Sequence, residues 1–178
     1  MNIKISYIIS LLVLYILVII LPIIFYIIKV EKKDVLEYLK LKGNIKNGIF
    51  IGIISSGIFT LMVFIKNKIL GIDGFQTDIG MLWICGILVG AIEEIPFRGF
   101  LLEKFKERVG FWKSNCLVTI IFILLHFPNW IVNGTDILSS SITISLVSLC
   151  LGYLVNEYNS LWITIICHSV FNIVFWMT

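Results

Sequence analysis

Apolar and polar residues follow one another along the chain in long blocks, not in strict alternation. Six apolar stretches have about the length that crosses a bilayer as a helix, roughly 20 residues. They cover residues 5–30, 47–65, 79–102, 116–132, 137–155 and 161–177, of which the fourth and sixth are short. The pattern predicts an all-α fold, a polytopic membrane helix bundle with about six transmembrane helices.

Two of the polar connections between these stretches are strongly basic. The first carries six lysines between residues 29 and 46, and the third carries five basic residues between 98 and 113, together eleven of the 14 lysines and arginines. With six spans these two connections share one side, which the positive-inside rule assigns to the cytoplasm. Both termini are then expected outside a cell membrane that the chain crosses several times, although Lys4 argues the other way.

Composition supports membrane lipids as the surroundings and gives no reason to expect nucleic acid. The chain is 59% hydrophobic and 14% charged, with a net charge of only +3, whereas soluble domains are about 45–50% apolar and about 25% charged. No polar linker divides residues 1–178, so we expect one transmembrane domain. The apolar run from residue 5 to 28 is too long for a signal peptide and predicts a permanent anchor.

Small residues recur at helical spacing inside the apolar stretches. Such stripes let membrane helices approach one another closely, so packing is the favoured interpretation. The stripes are Gly48 with Gly52, Gly86 with Gly90, and Ser141, Ser145, Ser148 and Gly152.

Two adjacent carboxylates interrupt the third apolar stretch. An ionised carboxylate facing lipid costs at least about 2.5–3.5 kcal/mol, so Glu93 and Glu94 are expected to face protein or water. Arg98 lies four residues after Glu94, on the same helical face, and predicts an ion pair. Glu93 has Phe97 at that spacing and therefore remains the free carboxylate, while Pro96 removes a backbone hydrogen bond and can open the helix.

Both histidines of the chain also lie inside apolar stretches. His126 ends the run TIIFILLH, and His168 shares a helical face with Asn172 four residues later. Counting the helical rise from the basic connections places Glu93, His126 and His168 at compatible depths, from the cytoplasmic half to the middle of the bilayer. A single membrane histidine more often forms a helix–helix hydrogen bond, but this combination favours a shared site.

The residues of this site suit two kinds of hydrolysis. In one, Glu93 accepts a proton from water while His168 and Asn172 donate hydrogen bonds to an oxyanion. In the other, Glu93, His126 and His168 bind zinc and leave one position open. No HExxH motif is present, and the residue pattern alone does not decide between the two.

Three short motifs in order then give a family resemblance. EEIPFR (93–98) matches EExxxR, FILLH (122–126) matches FxxxH, and HSVFN (168–172) matches HxxxN. In this order on membrane helices they resemble the CPBP family of CAAX proteases and bacteriocin-processing intramembrane proteases, over residues 86–177. The resemblance implies an intramembrane endopeptidase, which is a hydrolase. It favours an enzyme of the glutamate type that works without a cofactor, with a zinc enzyme as the alternative.

The resemblance also implies roles for individual residues. Glu93 matches the catalytic glutamate, with His126 helping to orient and activate the attacking water. His168 and Asn172 match the pair that forms the oxyanion site, and Glu94 and Arg98 match the supporting positions.

Substrate and biological role stay open at the level of sequence. We expect a small peptide or a membrane-anchored, lipidated or unlipidated, protein tail that enters from the cytoplasmic side. One alternative is a non-catalytic bacteriocin self-immunity or membrane scaffold protein of the same fold. A second is a small proton-coupled carrier, since glutamate and histidine in membrane helices also form proton relays.

Overall fold

The computed structural model describes residues 5–69, 71, 74, 76–80 and 82–177, and every regular element in this part of the chain is helical. The α-helices are α1 (Ile5–Tyr15), α2 (Leu21–Tyr26), α3 (Val35–Tyr38), α4 (Ile45–Ile69), α5 (Leu82–Glu94), α6 (Leu102–Val109), α7 (Phe111–Asn133), α8 (Ile137–Tyr158) and α9 (Trp162–Met177). Three π-helical segments continue them, at Ile16–Ile20, Ile27–Glu31 and Ile95–Leu101. The predicted all-α bundle is confirmed, while Lys4 lies outside the described residues.

Four helices are long and apolar enough to cross a membrane, judged by length and composition. They are Ser10–Glu31, Ile45–Ile69, Phe111–Asn133 and Ile137–Tyr158. The third predicted span is instead α5, of 13 residues, which continues as the π-helix Ile95–Leu101. The sixth is the 16-residue helix α9. The number of six full-length spans is therefore not exact, and α7 is longer than the short fourth span that the sequence predicts.

Helix α9 lies at the centre of the bundle and packs against α4, α5 and α8. Glycines allow this close approach: a Cβ added at Gly48 would lie 2.1 Å from Ser160 Oγ, and one at Gly90 would lie 2.6 Å from Ser169 N. Both predicted GxxxG pairs thus face α9 and support the packing interpretation. Side chains of α9 complete the contact, since Ser169 Oγ donates to Ile87 O and Cys167 Sγ to Gly52 O.

Polar contacts join the connections at one end of the bundle, which we call the lysine-rich end (residues 31–44, 102–110 and 159–161). Lys40 Nζ lies 2.6 Å from Glu103 Oε1, and Lys104 pairs with Glu31. Leu161 N donates to Lys40 O at 3.0 Å. These contacts place the first, third and fifth connections at the same end of the bundle. A chain that crosses the bundle with each long helix requires this arrangement.

Elsewhere the distribution of polar and apolar side chains is inverted relative to a soluble protein. Large apolar side chains such as Phe25, Phe50 and Leu125 are more than 60% exposed. Glu94, Arg98 and other polar residues are instead buried. A surface of this kind suits hydrocarbon, and the buried polar groups need partners inside the protein.

Candidate active site

The centre of the site is a chain of three charged or polar side chains from two helices. Glu94 ends α5, Arg98 lies in the following π-helix, and His168 lies on α9. Arg98 Nη1 donates to Glu94 Oε1 at 2.9 Å, and His168 Nδ1 donates to the same oxygen at 2.8 Å. Glu94 is 0% and Arg98 is 1% exposed. The ion pair predicted from the i,i+4 spacing is present, and it also fixes His168, a contact that no spacing rule predicts.

Glu93 points to the other side of the same histidine. Its Oε2 lies 3.7 Å from His168 Nε2, too far for a direct hydrogen bond. This oxygen is buried and has no hydrogen-bond partner within the described part of the chain, while 26% of the side chain remains exposed. Glu94 Oε2 is likewise buried without a described partner, but Glu94 is fully buried and accepts two hydrogen bonds at Oε1. Glu93 is therefore the freer of the two carboxylates, as the sequence predicts, and its unpaired oxygen leaves room for one more donor.

The guanidinium of Arg98 is held from a third and a fourth helix. Its Nη2 donates to Ser148 Oγ of α8 at 2.8 Å, and Ser148 Oγ lies 2.7 Å from Thr119 Oγ1 of α7. The Phe122 ring lies against the guanidinium, with 4.5 Å between the guanidinium carbon and the ring centroid. The sequence assigned Ser148 to a packing stripe, and Thr119 gave no signal. In the sequence, only the presence of their hydroxyl groups inside apolar stretches could have marked Ser148 and Thr119 as site residues.

His126 and Asn172 lie beside this network without joining it. His126 Nδ1 bonds to the backbone oxygen of Phe122, one turn earlier on α7, at 2.8 Å. The Phe122 ring contacts both histidines, with ring centroids 4.5 Å from His126 and 5.8 Å from His168. His126 and Asn172 both line the cavity that also contains Glu93 and His168. The six predicted site residues thus line one cavity. Four of them, Glu93, Glu94, Arg98 and His168, are in direct or near contact.

This cavity has a volume of about 610 Å³, within the range of small-molecule sites. Arg98 and Ser148, each only 1% exposed, are among its lining residues. Its other polar residues, including Lys66 and Asp136, come from the ends of α4 and α8 that lie away from the lysine-rich end. None of the described residues that line it belongs to the lysine-rich end. The cavity therefore extends toward the other end of the bundle, while the opening toward the cytoplasmic half stays a prediction.

The described side chains do not form a ready zinc site. No group of three histidine, cysteine, aspartate or glutamate residues in the described ranges lies close enough to hold a metal ion. The Phe122 ring packs against both His126 and His168. The predicted ligand set of Glu93, His126 and His168 is therefore not assembled as a zinc site in this arrangement.

Comparison with known proteins gives one result. Residues 74–174, more than half of the chain, match the family described as type II CAAX prenyl endopeptidase Rce1-like. No curated protein and no solved structure matched the chain. The matched range contains all three motifs and all six predicted site residues.

Proposed function

Because the chain belongs to the Rce1-like family of type II CAAX prenyl endopeptidases, we propose that it hydrolyses a peptide bond inside the membrane with Glu93 as general base. The family implies an intramembrane CAAX protease at a coarse level. One observation carries the finer proposal. Glu93 Oε2 is buried without a described partner and lies 3.7 Å from Nε2 of His168. The other ring nitrogen of His168 is held by Glu94, which is itself paired with Arg98.

The reaction begins with a water bound between Glu93 and the substrate. Glu93 takes a proton from this water, whose oxygen attacks the carbonyl carbon of the scissile bond. The carbonyl oxygen becomes an oxyanion that accepts hydrogen bonds from His168 Nε2–H and the Asn172 amide. When the intermediate collapses, the carbon–nitrogen bond breaks and the leaving amine receives the proton that Glu93 had taken.

Glu94 and Arg98 prepare His168 for this task. Since Nδ1 of His168 donates to Glu94, only the imidazolium form can donate from Nε2 as well. With Glu93 ionised, a protonated His168 makes the cluster of two carboxylates, one guanidinium and one imidazolium neutral. Neutrality matters because an unbalanced charge in a membrane-embedded site is costly.

His126 acts on the water from α7. With its Nδ1–H bonded to Phe122 O, its Nε2 is left as an acceptor that lines the cavity. A water held by Nε2 of His126 and by Glu93 has its lone pair free for attack. This role needs no metal, and we propose a metal-free, glutamate-type enzyme.

The cavity also suggests what the substrate is and how it arrives. Apolar and aromatic side chains such as Val63, Phe171 and Trp176 line its walls, while Lys66 and Asp136 make part of its outer rim polar. These walls suit a peptide or a membrane-anchored, lipidated protein tail. If the lysine-rich end faces the cytoplasm, both termini are outside, and the substrate enters from the outer face of the cell membrane.

The test compares purified wild type with Glu93→Gln in detergent. Both are incubated with a library of short and C-terminally lipidated peptides, and cleavage is followed by mass spectrometry with and without a chelator. Glu157→Gln is the matched control, because Glu157 is exposed at the end of α8. We expect cleavage by wild type and the control, a loss of at least about 10²-fold in Glu93→Gln, and no effect of the chelator.

Other outcomes would contradict parts of the proposal. Equal cleavage by Glu93→Gln removes Glu93 from catalysis, and inhibition by the chelator replaces the metal-free mechanism. If wild type cleaves no peptide while Glu93→Gln still protects cells from a bacteriocin, the protein is a non-catalytic immunity protein. Proton flux in proteoliposomes that depends on Glu93 would instead indicate a carrier.

A further inference from the structure

Helix α8 carries none of the three motifs, yet one of its side chains contacts the site. Ser148 is 1% exposed, and its Oγ accepts a hydrogen bond from Arg98 Nη2 at 2.8 Å. It also shares a 2.7 Å hydrogen bond with Thr119, which is 4% exposed. Two buried hydroxyls from two helices therefore support one side of the Arg98 guanidinium.

The neighbouring hydroxyls of α8 behave differently. Ser145 Oγ donates to Ser141 O at 2.6 Å and Thr143 Oγ1 donates to Ser139 O at 2.9 Å, both within their own helix. Such bonds to the preceding turn are the ordinary solution for serine and threonine inside a helix. Ser148 bonds to other helices instead, which separates it from the packing stripe to which its spacing assigns it.

Arg98 needs this support because a guanidinium is rigid and fully donating. Its planar fork directs one nitrogen toward Glu94 and the other toward Ser148, so the position of one bond sets the position of the other. Glu94 in turn accepts from His168. A displacement at Ser148 is therefore transmitted through Arg98 and Glu94 to the imidazole beside Glu93.

We propose that Ser148, backed by Thr119, is a positioning residue of the active site. It holds Arg98 in the orientation that keeps Glu94 against His168, and it does not touch the substrate's reacting atoms. This role rests on the proposed peptidase function. It predicts that removal of the hydroxyl lowers turnover more than substrate binding.

The experiment measures kcat and KM for two pairs of matched variants in the full chain. Ser148→Ala is compared with Ser145→Ala, which removes a hydroxyl bonded only to its own helix. Thr119→Val, which keeps the side-chain shape, is compared with Thr119→Ser, which keeps the hydroxyl. We expect Ser148→Ala to lower kcat roughly 10- to 100-fold, as loss of a hydrogen bond to a charged group does, with KM changed less than about threefold.

The partner variants complete the expected pattern. Thr119→Val lowers kcat in the same direction but less, Thr119→Ser restores it, and Ser145→Ala is equal to wild type. Thermal unfolding is measured on all four, since a purely structural role would lower stability without a selective loss of kcat.

The failure of this role and the failure of the proposed function give different results. If wild type cleaves peptide and Ser148→Ala matches Ser145→Ala in kcat, the positioning role is wrong while the peptidase stands. If Ser148→Ala does not fold, the Thr119→Val and Thr119→Ser pair decides: equal kcat values overturn the role. If wild type shows no Glu93-dependent cleavage, the positioning role falls together with the function.

Discussion

A single methyl group added at Gly90 is expected to separate the two helices that build the site. Its Cβ would lie 2.6 Å from Ser169 N and 2.8 Å from Ser169 Cα. These are backbone atoms of a packed helix and cannot rotate away. Reaching the 3.4 Å of ordinary contact requires α5 and α9 to move apart locally by about 0.6 to 0.8 Å.

This shift acts directly on the catalytic geometry. Glu94 lies one turn after Gly90, and His168 directly precedes Ser169, so the 2.8 Å bond between them would be stretched. A misplacement of about 1 Å in an active site can cost roughly 10²-fold in rate. We therefore expect Gly90→Ala to lower kcat by roughly 10- to 100-fold, with a loss of stability of about 1–3 kcal/mol from overpacking.

Two other glycines make the experiment graded. At Gly86 the added Cβ would meet Ile173 Cγ1 at 2.7 Å, a side-chain atom that can shift, whereas at Gly57 nothing lies within 4 Å. Peptide cleavage and thermal unfolding of the three alanine variants should rank Gly90 as most impaired, then Gly86, with Gly57 equal to wild type. A folded Gly90→Ala protein with full kcat would refute the argument that this helix spacing sets activity.

Further predictions concern the two ends of the bundle and the α7–α8 contact. Burial, and after it the charge of Glu31, raises the pKa of Tyr38 to about 12. The contribution of the neutral Tyr38 side chain to stability is therefore complete below about pH 10 and is lost as the pH rises through 12. An ultraviolet difference titration of wild type against Tyr38→Phe should show the ionisation of Tyr38 near pH 12. A membrane-impermeant maleimide should label Asn67→Cys, at the cavity rim, from one face of the membrane and Lys42→Cys from the opposite face, with wild type as background. Labelling of both variants from the same face would contradict the direction in which the cavity extends. Gly152→Ala should lower the melting temperature, because its Cβ would lie 2.0 Å from an oxygen of Asn115; an unchanged melting temperature would show that the contact adapts.

The sequence predicted those features that follow from local periodicity. The apolar stretches gave the helices, and the i,i+4 spacing gave the Glu94–Arg98 pair, because both depend only on neighbours along one helix. It also identified Gly86 and Gly90 as packing residues, although not α9 as the helix they contact. What it could not give is the pairing of helices distant in the chain, on which the position of His168 against Glu94 depends.

The direction of the cavity shows the same limit. Loop charges predict which end of the bundle faces the cytoplasm, but they carry no information on where the helices diverge. Helix α9 packs closely against α4 and α5 at the glycines Gly48, Gly52 and Gly90. The cavity is lined instead by side chains that include those from the far ends of α4 and α8. Depth counted from the rise per residue therefore placed the site residues together but gave no information on the direction in which the cavity extends.

The π-helix Ile95–Leu101 has a consequence for how the chain length can vary. A π-turn holds one residue more than an α-turn, and each residue of an α-helix turns the chain by about 100°. Deleting one residue between Arg98 and Leu101 would let the π-turn close to an α-turn, so that Glu93, Glu94 and the helix that follows keep their faces. The same deletion from a regular α-helix would rotate everything that follows by about 100°. Leu102, which is 0% exposed, would then stay in the core, so this segment is expected to tolerate the loss of one residue that a regular helix would not.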